Sequence, residues 1–234
     1  MLQIKIKNQP DDISCGPTSL HAVYKYYGDD IALEDVISQV PNFDGGGTLA
    51  VHLGCHALDR GYNAKVYTYN LNIFDPSWFD KNVDLISKLK EQCQYKNDEK
   101  LRTASKAYIH FLEKGGKIHY DELTPSLLKK YFDKGVPVLT GLSATYLYQS
   151  KREITGKRLK LTYDDIKGYP TGHFVVLCGY DDEKKHVVIA DPYTNHPYQS
   201  NYYSVKVNRL INSILLGILT YDSIFLIIEP KNKK

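Results

Sequence analysis

The order of the sequence patterns constrains the fold of this chain more than any other feature. Apolar residues at helical spacing predict helices over 15–27, 33–40, 48–60, 123–133 and about 210–216. β-Prone apolar segments predict strands over 1–7, 63–71, 136–141, 174–180, 186–190, 202–207 and 219–228. Helices therefore dominate the first half and strands the second, instead of alternating. This order indicates an α+β fold rather than a regular β-α-β one.

Length and polarity predict one domain that carries an insertion. The chain has 234 residues, which suits a single large domain over 1–234. The segment at about 80–116 is polar and helical in pattern, and we interpret it as an insertion that packs through one narrow face. Hydrophobic residues make up 42% and charged residues 24% of the chain, proportions typical of a globular protein and not of a disordered one.

Charge and hydropathy argue against two classes of partner. The net charge of +3 is too small to indicate binding to nucleic acid or to an anionic membrane surface. The most apolar stretch, 210–228, is interrupted by polar residues, and the N-terminus lacks the pattern of a secretory signal. We therefore expect no membrane insertion and a cytoplasmic location, while secretion without a signal sequence and the oligomeric state stay open. The 20 tyrosines are interpreted mainly as compositional bias.

The cysteines do not form a recognisable metal or disulfide pattern. They lie far apart, with no C-x-x-C pair, at Cys15, Cys55, Cys93 and Cys178. This spacing is not that of a zinc site, and a disulfide framework is not expected in a chain of this length. His52 and His56 share one face of a predicted helix but have no evident third ligand, so we expect no metal and no cofactor.

One cysteine stands where its chemistry would be favoured. Cys15 begins a predicted helix whose second position is Gly16 and whose third is Pro17, a residue suited to a first turn. The partial positive charge of a helix N-terminus favours a thiolate, and its free N–H groups can bind an oxyanion. Gln9, six residues earlier, could turn its amide toward the same oxyanion, and Gly16 is expected to give a substrate backbone room to approach.

A histidine and a carboxylate are predicted to meet in a later hairpin. His173 opens the predicted strand 174–180, and Asp191 follows the next strand, 186–190. In a hairpin, the start of the first strand lies beside the end of the second, so Asp191 is expected to orient His173 as a base. Asp191 is followed by Pro192, which is also typical of a plain turn. Gly172 is expected to leave one side of the imidazole open to substrate.

These motifs resemble those of the double-glycine leader peptidases, which belong to the papain superfamily of cysteine peptidases. The resemblance covers roughly residues 8–28, with Gln-x5-Cys-Gly-Pro-Thr-Ser, and 170–195, with Gly-His-Phe-Val-Val and Ala-Asp-Pro. It implies a papain-like fold in which Cys15 is the nucleophile, His173 the base, Asp191 its partner and Gln9 the oxyanion residue. Because no transporter segments follow, the chain is more similar to a stand-alone bacterial relative than to an exporter domain.

The sequence therefore predicts a cysteine peptidase that acts on a peptide or protein substrate and cleaves a peptide or isopeptide bond through a thioester on Cys15. Two alternatives stay open. The same thioester could serve acyl transfer, transglutamination or deamidation, because only the acceptor that attacks it differs. The chain could also be a non-catalytic peptide-binding module that retains the groove.

Overall fold

The computed structural model describes residues 1–43, 46–154 and 162–231. Its helices are α1 Cys15–Tyr26, α2 Leu33–Gln39, α3 Ala50–Asp59, α4 Leu85–Tyr95, α5 Glu99–Glu113, α6 Pro125–Phe132, α7 Ala144–Tyr148 and α8 Val207–Leu216. Its strands are β1 Tyr62–Thr68, β2 Lys117–His119, β3 Val138–Ser143, β4 Glu153–Ile154, β5 Thr162–Tyr163, β6 Gly172–Asp181, β7 His186–Ala190, β8 Tyr202–Lys206 and β9 Ile224–Pro230. Short 3-10 turns occupy Pro76–Phe79 and Gly217–Thr220.

Most of the strands form one sheet. Its seven strands run in the order β2-β1-β9-β3-β6-β7-β8, and neighbours are antiparallel except for the parallel pair β1 and β2. β4 and β5 pair separately. Because β6 lies between β3 and β7 and has helices over both faces, its sequence is apolar without alternation, as expected of a fully covered strand.

The sheet carries a hydrophobic core on each face. Phe174 and Val176 of β6 point to one side, into a core shared with helices α1, α3 and α5. Val175 and Leu177, which alternate with them, point to the other side, into a core shared with helices α6, α7 and α8. Since both faces are covered, residues at the two ends of β6 lie where the two cores meet.

The segment predicted as an insertion contributes to the first of these cores. Helix α5 buries Leu101, Ala104, Tyr108 and Phe111, whereas α4 buries Leu89. Phe111 lies so close to α3 that a Cβ added at Gly54 would come within 2.6 Å of the Phe111 ring. The amphipathic pattern is therefore as expected, while its interpretation as an insertion in a single domain stays a prediction.

The predicted helices are confirmed with shifts of one to three residues at their ends. The prediction for residues 1–7 was wrong, because this segment forms no strand. Leu2 donates its N–H to the carbonyl of Cys178 at 2.7 Å, where the register of β6 and β7 shifts, and Ile6 donates its N–H to the Tyr202 hydroxyl at 3.0 Å. These separate hydrogen bonds attach the segment to the sheet, but they do not form the regular ladder of a paired strand. Within the described ranges, we find no helix long and apolar enough to span a bilayer.

Candidate active site

Cys15 is the first residue of α1, and the turn before it is held by a side chain. The Asp11 carboxylate accepts the N–H groups of Ile13 at 3.0 Å and Ser14 at 2.8 Å. Helix α1 lies on β6, where the Ser19 hydroxyl donates to the Phe174 carbonyl at 3.1 Å. These contacts place the thiol at a helix N-terminus beside the start of β6. The first N–H groups of a helix have no intrahelical acceptor, so they are available to an oxyanion.

His173 is the second residue of β6 and joins the two ends of the site. Its Nε2 lies 2.8 Å from Oδ1 of Asp191, and the Cys15 side chain is near enough to favour the protonated ring. Since Asp191 occupies Nε2, Nδ1 is the nitrogen that faces the thiol. Burial alone lowers the pKa of His173. The charge and hydrogen bond of Asp191, with the Cys15 side chain, outweigh burial and hold this pKa well above its ordinary value.

Asp191 reaches His173 because of the hairpin register. Val176 pairs with Ala190, the last residue of β7. Asp191, which follows it, therefore lies diagonally opposite His173 on the same face. Asp191 is fully buried, and burial by itself raises the pKa of its carboxyl. The charge and hydrogen bond of His173, the Tyr203 hydroxyl and the Tyr193 N–H reverse this effect and hold the pKa below its ordinary value. The carboxylate is therefore ionised at neutral pH.

Two further partners of Asp191 were missed from the sequence. The hydroxyls of Tyr148 in α7 and Tyr203 in β8 both donate to Oδ2 of Asp191, at 2.8 Å and 2.6 Å. The signal available was the abundance of tyrosine, which we interpreted as compositional bias. Nothing local in the sequence distinguishes these two from the other tyrosines, because their positions depend on which elements meet at Asp191.

Gln9 lies at the same end of the sheet. Its backbone N–H donates to the Pro192 carbonyl at 2.9 Å, which ties the loop before α1 to the loop after β7. Its side-chain nitrogen donates one hydrogen to the Asp11 carbonyl at 2.7 Å. An amide carries two such hydrogens, so one is left for another acceptor. The side-chain oxygen of Gln9 is buried and has no hydrogen-bond partner among the residues described here.

A small cavity of about 50 Å³ opens beside these residues. Gln9, His173 and Tyr193 form one part of its lining, and the carboxylates of Asp12 and Glu153 form another. Burial raises the pKa of Glu153, opposed by Thr171 and by the charge of His173, and the nearby Asp12 raises it further. Two carboxyl groups therefore line the cavity together with the imidazole of His173, and the cavity is acidic.

The two glycines beside the key residues do not have the role predicted for them. A Cβ added at Gly172 would lie 1.7 Å from Oδ2 of Asp222, so this space is filled by a carboxyl group and is not open to substrate. A Cβ added at Gly16 would lie 2.7 Å from Cγ2 of Thr48, so the glycine permits close packing of α1. Burial raises the pKa of Asp222 to about 7, although Thr220 and the positive charge of His173 oppose the shift.

The remaining cysteines and the histidine pair have different surroundings from Cys15. Burial raises the pKa of Cys55 to about 11 and that of Cys178 to about 12. The His56 ring hydrogen-bonds to the Tyr24 hydroxyl at 2.7 Å and to the Gln39 side chain at 3.1 Å. The part of the chain that the structure describes contains no group of three or more His, Cys, Asp or Glu residues suited to a metal ion.

Residues 1–210 match the model of the Peptidase_C39-like family, which is most of the chain. The chain belongs to this family. The resemblance seen in the motifs is thereby confirmed, and the expectation of a cysteine peptidase is confirmed at the level of the family. None of the curated proteins searched gives a significant match.

One solved structure of a similar protein supports the fold, and two others align over most of the chain with lower scores. A putative C39-like peptidase from Bacillus anthracis aligns over 100% of this chain and 98% of its own, with 14% identity and a TM-score of 0.52. The peptidase domain of Streptococcus ComA, a bifunctional ABC transporter, aligns over 98% and 100%, with 16% identity and a TM-score of 0.44. A double-glycine-motif protease from an AMS/PCAT transporter, solved with a leader peptide, aligns over 98% and 94%, with 17% identity and a TM-score of 0.47. The α+β, papain-like fold predicted from the sequence is confirmed.

Proposed function

We propose that this chain hydrolyses a peptide or isopeptide bond in a peptide or protein substrate, with Cys15 as nucleophile and His173 as base. The observation that carries the proposal is the buried group of Cys15, His173 and Asp191, in which the imidazole is hydrogen-bonded to the carboxylate and is influenced by the Cys15 side chain. Family membership supports peptide-bond chemistry. A thiol, an imidazole and a carboxylate in this order are the groups that nucleophilic acyl transfer requires.

The proposed reaction begins with attack of the Cys15 thiolate on the substrate carbonyl carbon. The carbonyl electrons move to its oxygen, which accepts hydrogen bonds from the Cys15 backbone N–H and the free amide hydrogen of Gln9. Collapse of this intermediate breaks the carbon–nitrogen bond, and the leaving amine takes the proton held on Nδ1 of His173. His173 then removes a proton from the water that attacks the thioester. Collapse of this second intermediate breaks the carbon–sulfur bond, releases the acid and restores the Cys15 thiolate and the protonated His173.

The electrostatics of the site support these roles. The raised pKa of His173 favours an imidazolium that can donate a proton to the leaving amine at neutral pH. The lowered pKa of Asp191 keeps its negative charge next to that imidazolium. Because Nε2 is bound to Asp191, the ring is held with Nδ1 toward the thiol, which is the orientation that both proton transfers need.

The experiment that tests the proposal is cleavage of a quenched-fluorescent peptide library by the wild-type chain and by Cys15→Ser, His173→Ala and Cys55→Ser. We expect the first two variants to lose about 10³-fold or more in kcat/KM, as removal of a nucleophile or base does in related chemistry. Cys55→Ser is the control, since Cys55 is buried near a different surface, and it should stay within twofold of wild type. Cleavage that survives Cys15→Ser would show that the proposed nucleophile is wrong.

Product analysis separates the alternatives. If an added primary amine is joined to the substrate faster than the acid appears, the thioester on Cys15 serves acyl transfer. A mass increase of about one unit at a glutamine, with the backbone intact, would indicate deamidation. If peptides bind with micromolar affinity and no product forms with any of them, the chain is a binding module.

A further inference from the structure

The buried Asp191 carboxylate receives more hydrogen bonds than orientation of one imidazole requires. Oδ1 accepts from His173 at 2.8 Å and from the Tyr193 N–H at 2.9 Å. Oδ2 accepts from the hydroxyls of Tyr148 and Tyr203. Each oxygen therefore has two short hydrogen bonds, and rotation of the carboxylate would break all four. The two tyrosines come from α7 and β8, so elements on both sides of the hairpin fix this group.

A second imidazole lies beside the same carboxylate. His196 has a fully buried side chain, and its Nε2 is 3.7 Å from Oδ2 of Asp191, too far for a normal hydrogen bond. Its Nδ1 accepts the N–H of Tyr198 at 3.2 Å, so the neutral ring carries its proton on Nε2, which faces Asp191. Burial lowers the pKa of His196, and the positive charge of His173 lowers it further against the opposing effect of Asp191.

The rings around His196 hold it at this distance. Its ring stacks on Tyr148, with the centroids 4.8 Å apart, and meets Tyr203 edge-on at 5.0 Å. Nε2 of His196 is a buried polar atom that has no hydrogen-bond partner in the described ranges. An unsatisfied buried N–H beside a carboxylate would gain a strong, charge-assisted bond by moving closer. The Tyr148 and Tyr203 hydroxyls already occupy the oxygen that it faces.

Building on the function proposed above, we propose that Tyr148 and Tyr203 are positioning residues of the base: they occupy Oδ2 of Asp191, aim Oδ1 at His173 and keep His196 from taking the carboxylate. Loss of either hydroxyl frees one acceptor site on Oδ2. His196 then closes the 3.7 Å gap by drawing the carboxylate toward its Nε2–H, which lengthens the hydrogen bond between Oδ1 and Nε2 of His173. The imidazolium form of His173 loses support, so the proton it must donate is lost at lower pH.

The test is the pH profile of kcat/KM for Tyr203→Phe and Tyr148→Phe. We expect kcat to fall about tenfold with KM within twofold, and the alkaline limb, which reports loss of the His173 proton, to move down by about half a pH unit or more. Tyr198→Phe is the matched control. Tyr198 stacks on Tyr203 with centroids 4.1 Å apart, but its hydroxyl accepts from Arg209 at 3.2 Å instead of contacting Asp191. It should keep the wild-type profile.

A double variant tests the competition with His196. Tyr203→Phe combined with His196→Phe removes the second imidazole, and we expect it to recover at least half of the shift in the alkaline limb. The other titratable groups near His173 are unchanged in every variant, namely Cys15, Glu153 and Asp222. A general loss of packing would lower kcat without a shift that a second substitution reverses.

Three results would overturn the inference. The first is a Tyr203→Phe profile that matches that of Tyr198→Phe. The second is a shift in the alkaline limb that the added His196→Phe change leaves unaltered. The third is loss of the folded state in both Tyr203→Phe and Tyr148→Phe by circular dichroism, which would assign the hydroxyls to stability. These results are distinct from failure of the proposed function, which is read from Cys15→Ser alone.

Discussion

Gly172→Ala probes how closely the structure holds the histidine that follows it. An added Cβ would lie 1.7 Å from Oδ2 of Asp222, and 2.8 Å from both Cγ of Asp222 and Oγ1 of Thr220. Ordinary contacts between heavy atoms are about 3.5 to 4 Å, so roughly 2 Å of space must open. Asp222 is buried, so either its own segment or the start of β6 has to move.

The size of the effect follows from this geometry. Overpacking of a well-filled interior costs about 1 to 3 kcal/mol in the free energy of unfolding. The larger consequence is for activity, because His173 is the next residue and its ring must meet both Cys15 and Asp191. Displacement of a reacting group by about 1 Å can reduce a rate by about 100-fold. We therefore expect Gly172→Ala to lose about 30- to 100-fold in kcat/KM while it unfolds at a moderately lower urea concentration.

The assay pairs urea unfolding with peptide cleavage, and two variants make it decisive. Gly46→Ala is the control, because among the described residues an added Cβ there meets nothing closer than Cγ2 of Ile13 at 3.8 Å. It should change neither quantity by more than a small amount. Asp222→Ala in the Gly172→Ala background removes the obstructing carboxyl, and a double-mutant cycle should give a coupling free energy of about 1 kcal/mol or more. Wild-type stability and activity in Gly172→Ala would refute the argument that Asp222 fills this space.

Three further predictions concern titratable groups. Burial raises the pKa of Asp222 to about 7, so between pH 4 and 7 the folded chain keeps a proton that the unfolded chain has lost, and stability falls as pH rises. Asp222→Asn lacks this proton, so its free energy of unfolding relative to wild type should rise by up to about 4 kcal/mol from pH 4 to pH 8, as measured by urea unfolding. With pKa values near 11 and 12, Cys55 and Cys178 are thiolate at pH 7 in about one molecule in ten thousand or fewer. Iodoacetamide should therefore label both more slowly than Cys15 when the labelled sites are mapped by mass spectrometry. Equal rates would argue against the proposed pair of Cys15 thiolate and protonated His173. Because Glu153 lines the acidic cavity, a peptide with lysine at one position should be cleaved with a higher kcat/KM than its norleucine analogue. Glu153→Gln should reduce the ratio of these two kcat/KM values about tenfold. An unchanged ratio would show that the carboxylate does not contact the substrate.

Local chemistry explains why most of the helices could be predicted from the sequence. Helix α6 begins at Pro125, and the side chain of the preceding Thr124 accepts the N–H of Leu127 at 3.2 Å. Both features are properties of a short segment and require no knowledge of the rest of the fold. The segment 1–7 shows the limit of this reasoning. Alternation tells which residues share a face, but it does not tell whether a neighbouring strand has a free edge.

The proposed site likewise contains contacts that could be predicted from the sequence and contacts that could not. The approach of Asp191 to His173 could be expected from the sequence because a hairpin of known length joins them, only 18 residues apart in the chain. Tyr148 reaches Asp191 from 43 residues away and from a separate helix, and no local pattern encodes that contact. The roles of Gly16 and Gly172 were wrong for a related reason. A glycine shows that space is needed beside the backbone, but the sequence does not tell whether substrate or another side chain fills it.

The two cores of the sheet meet at the proposed site, and this explains why the site lies at the beginning of β6. Phe174 faces the core that carries α1 and hence Cys15, whereas His173 alternates with it and faces the side of Asp191. An imidazole in the middle of the strand would be separated from the thiol by the sheet itself. Only at the strand end can one ring contact groups that belong to opposite faces. The distance between Cys15 and Asp191 is therefore set by how both cores pack, and His173 is the residue that lies between the two groups.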